Sequence, residues 1–201
     1  MHKIQAGKVI EFFKMLNAFQ RVYRVGYVPG EDRKENDVEH SYTLGLLAWY
    51  IIEAFDLKLD KDKALRYALV HDLVEVYAGD THAFSKNAGH LNSQKEREAA
   101  AQKRLAAEFP EVKSIHDHIE AYEARQDPES VFVHALDKVH PVLIEILQDG
   151  RTVKEEKLGY TEAVSLKRRV TAASPEIKDL LEQLIAILDK DKKLYFGELT
   201  D

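Results

Sequence analysis

The sequence predicts an all-α fold, arranged as a single-domain helical bundle. Two observations carry this. Apolar residues recur at three- and four-residue steps in nearly every segment, the period of a helix with one buried face. Only nine Gly and five Pro punctuate 201 residues, too few for the frequent turns of a β-rich chain. That length suits one well-buried domain and is short for two, so the domain is taken as residues 1–201 with a core over about 8–190.

The elements follow in order. A first helix covers roughly Lys8 to Tyr23, and a polar loop containing Pro29-Gly30 spans Gly26 to Asn36. Asn36 or Asp37 caps a second helix from Val38 to about Phe55, with Glu39 in the first turn, where a negative charge meets the helix dipole. Asp60 or Asp62 starts a third, with a body from Ala64 to about Tyr77 that is apolar nearly all round apart from Arg66, and is therefore buried. Thr81 to Ser93 has the length of a functional surface loop. Helices then run from Gln94 to about Phe109, from Val112 to Ala124 and from Pro128 to about Leu147. Pro128 suits a first helical position, whereas Pro141 should kink or break its helix. Ser174 capping Pro175 opens a last helix, Glu176 to about Leu188, and the charge run Asp189 to Lys193 reads as a solvated helix end. There is no internal repeat, low-complexity segment or interdomain linker.

Composition excludes several functions. A net charge of −6, from 29 basic and 35 acidic residues, argues against a surface that coats nucleic-acid polymers, although one local site can still attract a small anion. With no cysteine in the chain, disulfides, a thiolate nucleophile and Cys-ligated metals are ruled out. Any metal must sit on His and carboxylates. The amino terminus has no signal-peptide pattern, and the longest apolar stretch, Leu44 to Ile52, is well short of the roughly 20 residues a membrane span needs. A cytoplasmic protein without membrane association is expected.

The informative residues are polar ones on faces that otherwise read as core. His40 shares a stripe with Leu44, Leu47, Ile51 and Phe55. His71-Asp72 falls inside the apolar body of the third helix, with Glu75 one turn on and Asp80 just past the end. Asp137 lies on or beside the stripe of Val133, Leu136, Val139 and Leu143. An ionised carboxylate in such a place costs several kcal/mol unless it is paired or bound to a cation, and one divalent ion resolves that cost for His40, His71, Asp72 and Asp137 together. Two imidazoles and two carboxylates suit Mn, Fe, Co, Ni or Zn better than Ca. Such an ion lowers the pKa of a coordinated water, so hydrolysis is the natural reaction. A second His-Asp pair, His116-Asp117, sits among Lys113, Glu120 and Glu123, where a solvated face explains it. His82, His90, His134 and His140 read as structural or solvent-facing.

Glu39-His40-Ser41, His71-Asp72 through Asp80-Thr81, and Ala135-Leu136-Asp137-Lys138 resemble the signature of HD-domain metal-dependent phosphohydrolases. The likeness extends to Lys95 to Ala100, Tyr122-Glu123-Ala124 and Pro128 to Phe132. It covers roughly residues 8 to 190, within the small branch that includes the 5'-deoxynucleotidases. The resemblance implies an HD-type bundle with one divalent ion (Mn, Co, Zn, Fe, Ni or Mg) on His40, His71, Asp72 and Asp137. It implies that Glu75 positions or activates the attacking water. Asp80 would contact the deoxyribose side, with Thr81, His82 and Ala83 on the same edge. Arg24 would orient the phosphate, with Arg21 and Arg33 as alternatives. Glu75 could instead hold a ligand His in its tautomer, and Asp80 could be a helix-end cap. Where the branch carries a Trp after that arginine, this chain reads Arg24-Val25-Gly26-Tyr27; Tyr27 would fill the role.

The expected activity is release of phosphate from a small nucleotide, a deoxyribonucleoside 5'-monophosphate, by a homodimer. The rivals are an HD hydrolase acting on a nucleoside triphosphate, an alarmone or a cyclic nucleotide, a non-catalytic metal-containing nucleotide-binding module, and a purely helical interaction protein.

Overall fold

The computed structural model describes residues 3–81, 89 and 93–200. Helix α1 (Ala6–Phe19) leads into a small antiparallel hairpin, β1 (Tyr23–Tyr27) and β2 (Lys34–Asn36), which pairs Tyr23 with Asn36 and Tyr27 with Lys34. Then come α2 (Asp37–Ala54), α3 (Lys61–Val70), the single turn α4 (Glu75–Ala78), α5 (Gln94–Glu108), α6 (Lys113–Ala124) and α7 (Pro128–Leu147). The chain finishes with α8 (Arg151–Glu156), α9 (Tyr160–Thr171), α10 (Pro175–Leu188), a 3-10 turn (Asp189–Asp191) and α11 (Lys192–Phe196). None of the described helices is long and apolar enough to cross a membrane.

Capping fixes where the site-bearing helices begin. Asn36 Oδ1 accepts from the amides of Val38 and Glu39, both at 3.0 Å, while Glu39 accepts the Asn36 amide at 3.1 Å. This capping box satisfies amides that the helix cannot. Asp60 does the same for α3 through the amides of Asp62 and Lys63, and Asp127 caps α7 through Ser130, with Pro128 at its first position.

One apolar cluster joins Leu44 and Ala48 of α2, Ala64 and Ala68 of α3, Val133 and Leu136 of α7, and Leu181 and Ile185 of α10. A second joins Met15 and Phe19 of α1 to Val70, Leu73, Leu105 and Ile119. Helix α3 serves both, so the turn that follows it is held from two sides.

Four expectations are corrected. The first helix ends at Phe19, and the region expected as a loop from Gly26 to Asn36 holds part of the hairpin; strands of five and three residues are too short to show a period of two. The third helix stops at Val70, so His71-Asp72 lies in a turn and not in a helix body. There the Leu73 amide bonds back to the Val70 carbonyl and the Glu75 amide to the Asp72 carbonyl, three residues back. Pro141 does not break α7, which continues through it. Proline denies the Asp137 carbonyl its usual donor, and the adjoining Lys138 carbonyl accepts from Lys167 Nζ at 2.7 Å, which ties this part of α7 to α9. Ser174 occupies the N-cap position of α10 without a capping hydrogen bond; its hydroxyl donates to Glu176. The sequence pattern assigns none of α8, α9 and α11.

Gly150 starts α8 with φ of +71°, and a Cβ there would lie 1.8 Å from the Tyr195 carbonyl oxygen. Gly150→Ala combines backbone strain with a clash that only a shift of α11 relieves. It is expected to cost about 3 kcal/mol, read as a lower urea midpoint at an unchanged m-value.

Candidate active site

Three elements deliver the site. The first turn of α2 carries Asp37 and His40, one helical step apart on the same face. The turn after α3 presents His71 and Asp72, and the middle of α7 presents Asp137. His40, Asp37 and Asp137 are almost fully buried.

Four ligand-type atoms converge. His40 Nε2 is 3.0 Å from Asp137 Oδ1, His71 Nε2 is 2.9 Å from Asp72 Oδ2, and the cross distances His40 to Asp72 and His71 to Asp137 are both 3.9 Å. Ligand atoms at about 2.1 Å from one ion and at right angles to each other stand about 3.0 Å apart. His71 Nδ1 donates to the Ala68 carbonyl at 2.9 Å, and its buried Nε2 has no hydrogen-bond partner although Asp72 Oδ2 is 2.9 Å away. An imidazole nitrogen and a carboxylate oxygen this close, without hydrogen-bond geometry, fit two groups that face a common cation. The donor set is thus chemically suited to a divalent metal.

Arg24, on β1, reaches the same cluster, and its side chain is only 17% exposed. Nη1 lies 2.8 Å from Asp72 Oδ2 and 3.4 Å from Asp37 Oδ1, Nη2 lies 3.8 Å from Asp137 Oδ1, and Nε lies 3.8 Å from Glu35 Oε2. The sequence-level alternatives are placed elsewhere: Arg33 pairs with Glu31 and Glu39, and Arg21 is exposed and is not among the residues that line the cleft.

The electrostatics record this crowding. Burial tends to raise the Asp137 carboxyl, yet Lys138, His40 and His71 hold it well below the usual range. Asp72 is likewise lowered against burial by His71 and Arg24. Glu75 goes the other way: burial, then the charges of Asp72, Asp37 and Asp80, push its carboxyl up to about 12. Asp37 rises to about 6, through burial and Asp72. The Oε2 atom of Glu75 and the Oδ2 atom of Asp37 are buried without a hydrogen-bond partner.

A cleft of about 270 Å³ opens beside these groups, lined by Arg24, His71, Asp72, Glu75, Asp80, Thr81, Asp137 and Lys138, and it continues past Pro141 to Val142, Val164 and Leu181. Tyr27 is not among the lining residues; its ring lies between Lys34 Nζ at 3.5 Å and Arg151 at 3.6 Å. His82, Ala83 and His90 lie outside the described residues. His134 lines the cleft, and His140 is buried with its ring edge-on to His40 at 4.6 Å. In the second His-Asp pair, Asp117 bonds to Lys113 on an exposed face.

Sequence reasoning missed Glu35, Asp37 and Lys138. Glu35 Oε2 is 3.6 Å from His40 Nδ1, placing a carboxylate behind a ligand-type imidazole. Asp37 had been considered only as a cap, although its three-residue spacing from His40 put both on one face. Lys138 Nζ is 2.6 Å from Asp137 Oδ2, so the two oxygens of Asp137 face different partners; nothing in the apolar pattern signals this.

Comparisons with known proteins show what the chain as a whole is similar to. The family described as HD domain matches residues 16–178. The 5'-deoxynucleotidase HDDC2 of Xenopus laevis is 32% identical over 142 residues, 69% of this chain and 68% of the relative. The human 5'-deoxynucleotidase HDDC2 is 31% identical over 141 residues, 69% and 67% of the two chains. The crystal structure of a predicted metal-dependent phosphohydrolase from Magnetospirillum magnetotacticum superposes with a TM-score of 0.80 at 24% identity, covering 97% of this chain and 95% of that one, which shows a shared fold.

Glu75 makes the metal-free protein sensitive to alkali. A carboxyl raised from 4.5 to about 12 contributes stability that is fully present below its unfolded pKa and is progressively lost as the pH rises above it. The thermal midpoint of chelator-treated protein should therefore fall between pH 5 and 9, and Glu75→Gln should flatten that slope. Added Mn²⁺ should stabilise the wild type more at pH 8 than at pH 5, as followed by thermal melts.

Proposed function

The chain belongs to the HD-domain family, and on that premise we propose that it is a metal-dependent phosphohydrolase that removes phosphate from a deoxyribonucleoside 5'-monophosphate. One observation carries the reading: Nε2 of His40 and of His71 converge with single oxygens of Asp72 and Asp137 next to a buried arginine. His40, His71, Asp72 and Asp137 would hold one divalent ion, with Mn or Co as the first metals to test. The names of the HDDC2 relatives support the substrate class.

A divalent ion in that cluster supplies Lewis acidity to phosphoryl oxygens and to a water. The chain's own groups do the rest. Arg24, held by Asp72 and Asp37, presents its guanidinium to the phosphate, so little side-chain ordering remains when substrate binds. Glu75 lines the cleft, and burial with the neighbouring carboxylates pushes its carboxyl up despite Arg24; the further positive charge of a metal in the cluster would favour its ionised form. As a carboxylate it would accept the proton of the attacking water as the new P–O bond forms, and would return that proton to the 5'-oxygen as its bond to phosphorus breaks, so that the nucleoside leaves as an alcohol. Asp80 and Thr81 line the cleft beside these groups and would meet the nucleoside.

The reading takes the chain as one domain that acts in the cytoplasm as a homodimer, on a small nucleotide and not on a nucleic-acid polymer or at a membrane. The exposed apolar side chains of Tyr42, Leu46, Trp49 and Tyr50 along α2 support a partner surface, and light scattering tests it.

Phosphate release from deoxyribo- and ribonucleoside monophosphates, screened with Mn, Co, Zn and Mg, decides the function; no release from any of them defeats it. Asp72→Ala should lower the rate by at least about 10³ with the helical circular dichroism intact. Arg24→Ala should lower kcat/KM by about 10²–10³, the range for removing one charge-stabilising donor. Chromatography of products would expose a triphosphate or cyclic-nucleotide hydrolase.

A further inference from the structure

The chain leaves α4 through Gly79, whose φ of +74° and ψ of 151° lie where only glycine is comfortable. The next two residues, Asp80 and Thr81, line the cleft. Helix α4 has only four residues, too short to hold itself together by its own hydrogen bonds. The strap from Ala78 to Thr81 therefore needs an anchor outside itself.

Arg97 of α5 supplies one. Its Nη1 donates to the Ala78 carbonyl and its Nη2 donates to Thr81 Oγ1 at 2.7 Å, while Nε donates to Ser93 Oγ at 3.4 Å on its own helix. The two guanidinium contacts fall on either side of Gly79 and Asp80. A planar fork fixes the spacing of its donors, so holding both ends sets the path of the two residues between them. Asp80 is close enough to feel the charges of Arg24 and Glu75, which puts the strap at the edge of the cleft, on the side where a ligand beyond those groups would lie.

We propose that Arg97 is a positioning residue that acts through the strap, holding Asp80 and Thr81 against whatever nucleotide occupies the cleft without touching that ligand itself. This rests on the hydrolase reading for the identity of the ligand, but not for the clamp. The contact requires the guanidinium fork and not merely a positive charge, because one donor reaches a backbone carbonyl and the other a hydroxyl, neither of which carries a charge.

The test compares wild type with Arg97→Lys and Arg97→Gln, all loaded with Mn²⁺. Hydrogen exchange of a peptide spanning residues 76–81 should quicken by about tenfold in both variants, equivalent to one lost hydrogen bond. The KM for dAMP, and its calorimetric Kd, should rise about tenfold, with kcat, bound-metal content and p-nitrophenyl phosphate hydrolysis close to wild type. A structural role alone would lower the thermal midpoint and kcat without a selective loss of nucleotide affinity. Unchanged exchange, full rescue by lysine, or unchanged dAMP affinity in a loosened strap each overturns the proposal. Should the wild type release no phosphate from dAMP, the hydrolase reading fails, while exchange and calorimetric binding still decide the clamp.

Discussion

The structure depends on a concentration of like charge that the helical core holds together. Glu35, Asp37, Asp72, Glu75, Asp80 and Asp137 gather around the guanidinium of Arg24, with Lys138 on the far oxygen of Asp137. Carboxylates packed this closely out of water repel one another and lack hydration, so each must find a cation, a proton or a hydrogen bond. Asp72 and Asp137 have their cations; Glu75 retains its proton. The arrangement is unfavourable by itself and persists because apolar contacts elsewhere are rigid enough to impose it. Leu44 and Ala68, each about one turn from His40 and His71, and Leu136, next to Asp137, are fully buried, so the three site-bearing elements cannot separate without opening the core.

That tension explains the chemistry of the site. A divalent ion is the smallest change that satisfies the orphaned Nε2 of His71 and relieves repulsion among its neighbours. On the proposed reading, the same positive charge would favour ionisation of Glu75, so metal binding and the availability of a proton acceptor would be linked through Coulomb energy. Arg24 is poised similarly. It is paired with Asp72 and Asp37, and on the proposed reading it would turn part of that charge to a phosphate held at the cluster.

Much of this was legible in the sequence, for a physical reason. A buried polar side chain on a helix interrupts an apolar stripe at a predictable step, so His40 and Asp137 stood out, and His71-Asp72 stood out by its apolar surroundings. That last inference placed the pair in a helix body, whereas α3 ends at Val70 and the pair occupies a tight turn. Apolar neighbours mark burial whether or not the helix continues, because Leu73 and Val74 pack inward from the turn as well. What could not be read depends on contacts distant in sequence. Glu35, Lys138 and Arg97 lie outside any stripe and owe their significance to partners on other elements. Asp37 is read from sequence only as an alternative cap to Asn36, because an acidic residue beside a helix start is usually a cap; Asn36 takes that role, and Asp37 turns inward.

The hairpin shows how the least legible element governs the most exacting distance. Arg24 sits on β1, and a two-stranded ribbon of this length has little stability alone. Its outer side is held by Arg151, which stacks on Tyr27, donates to the Glu31 carbonyl and pairs with Asp32. Arg151 begins α8, and the start of α8 is anchored by Glu145 of α7, whose carboxylate accepts the amides of Thr152 and Val153. Helix α7 also carries Asp137. The arginine that would meet phosphate and a carboxylate that would hold the metal are therefore both referenced to one helix, through a chain of contacts running hairpin, α8, α7. Tyr27 thus has a role at the site even though it is stacked away from the cleft: its ring is the surface through which α8 holds Arg24 in register with Asp137.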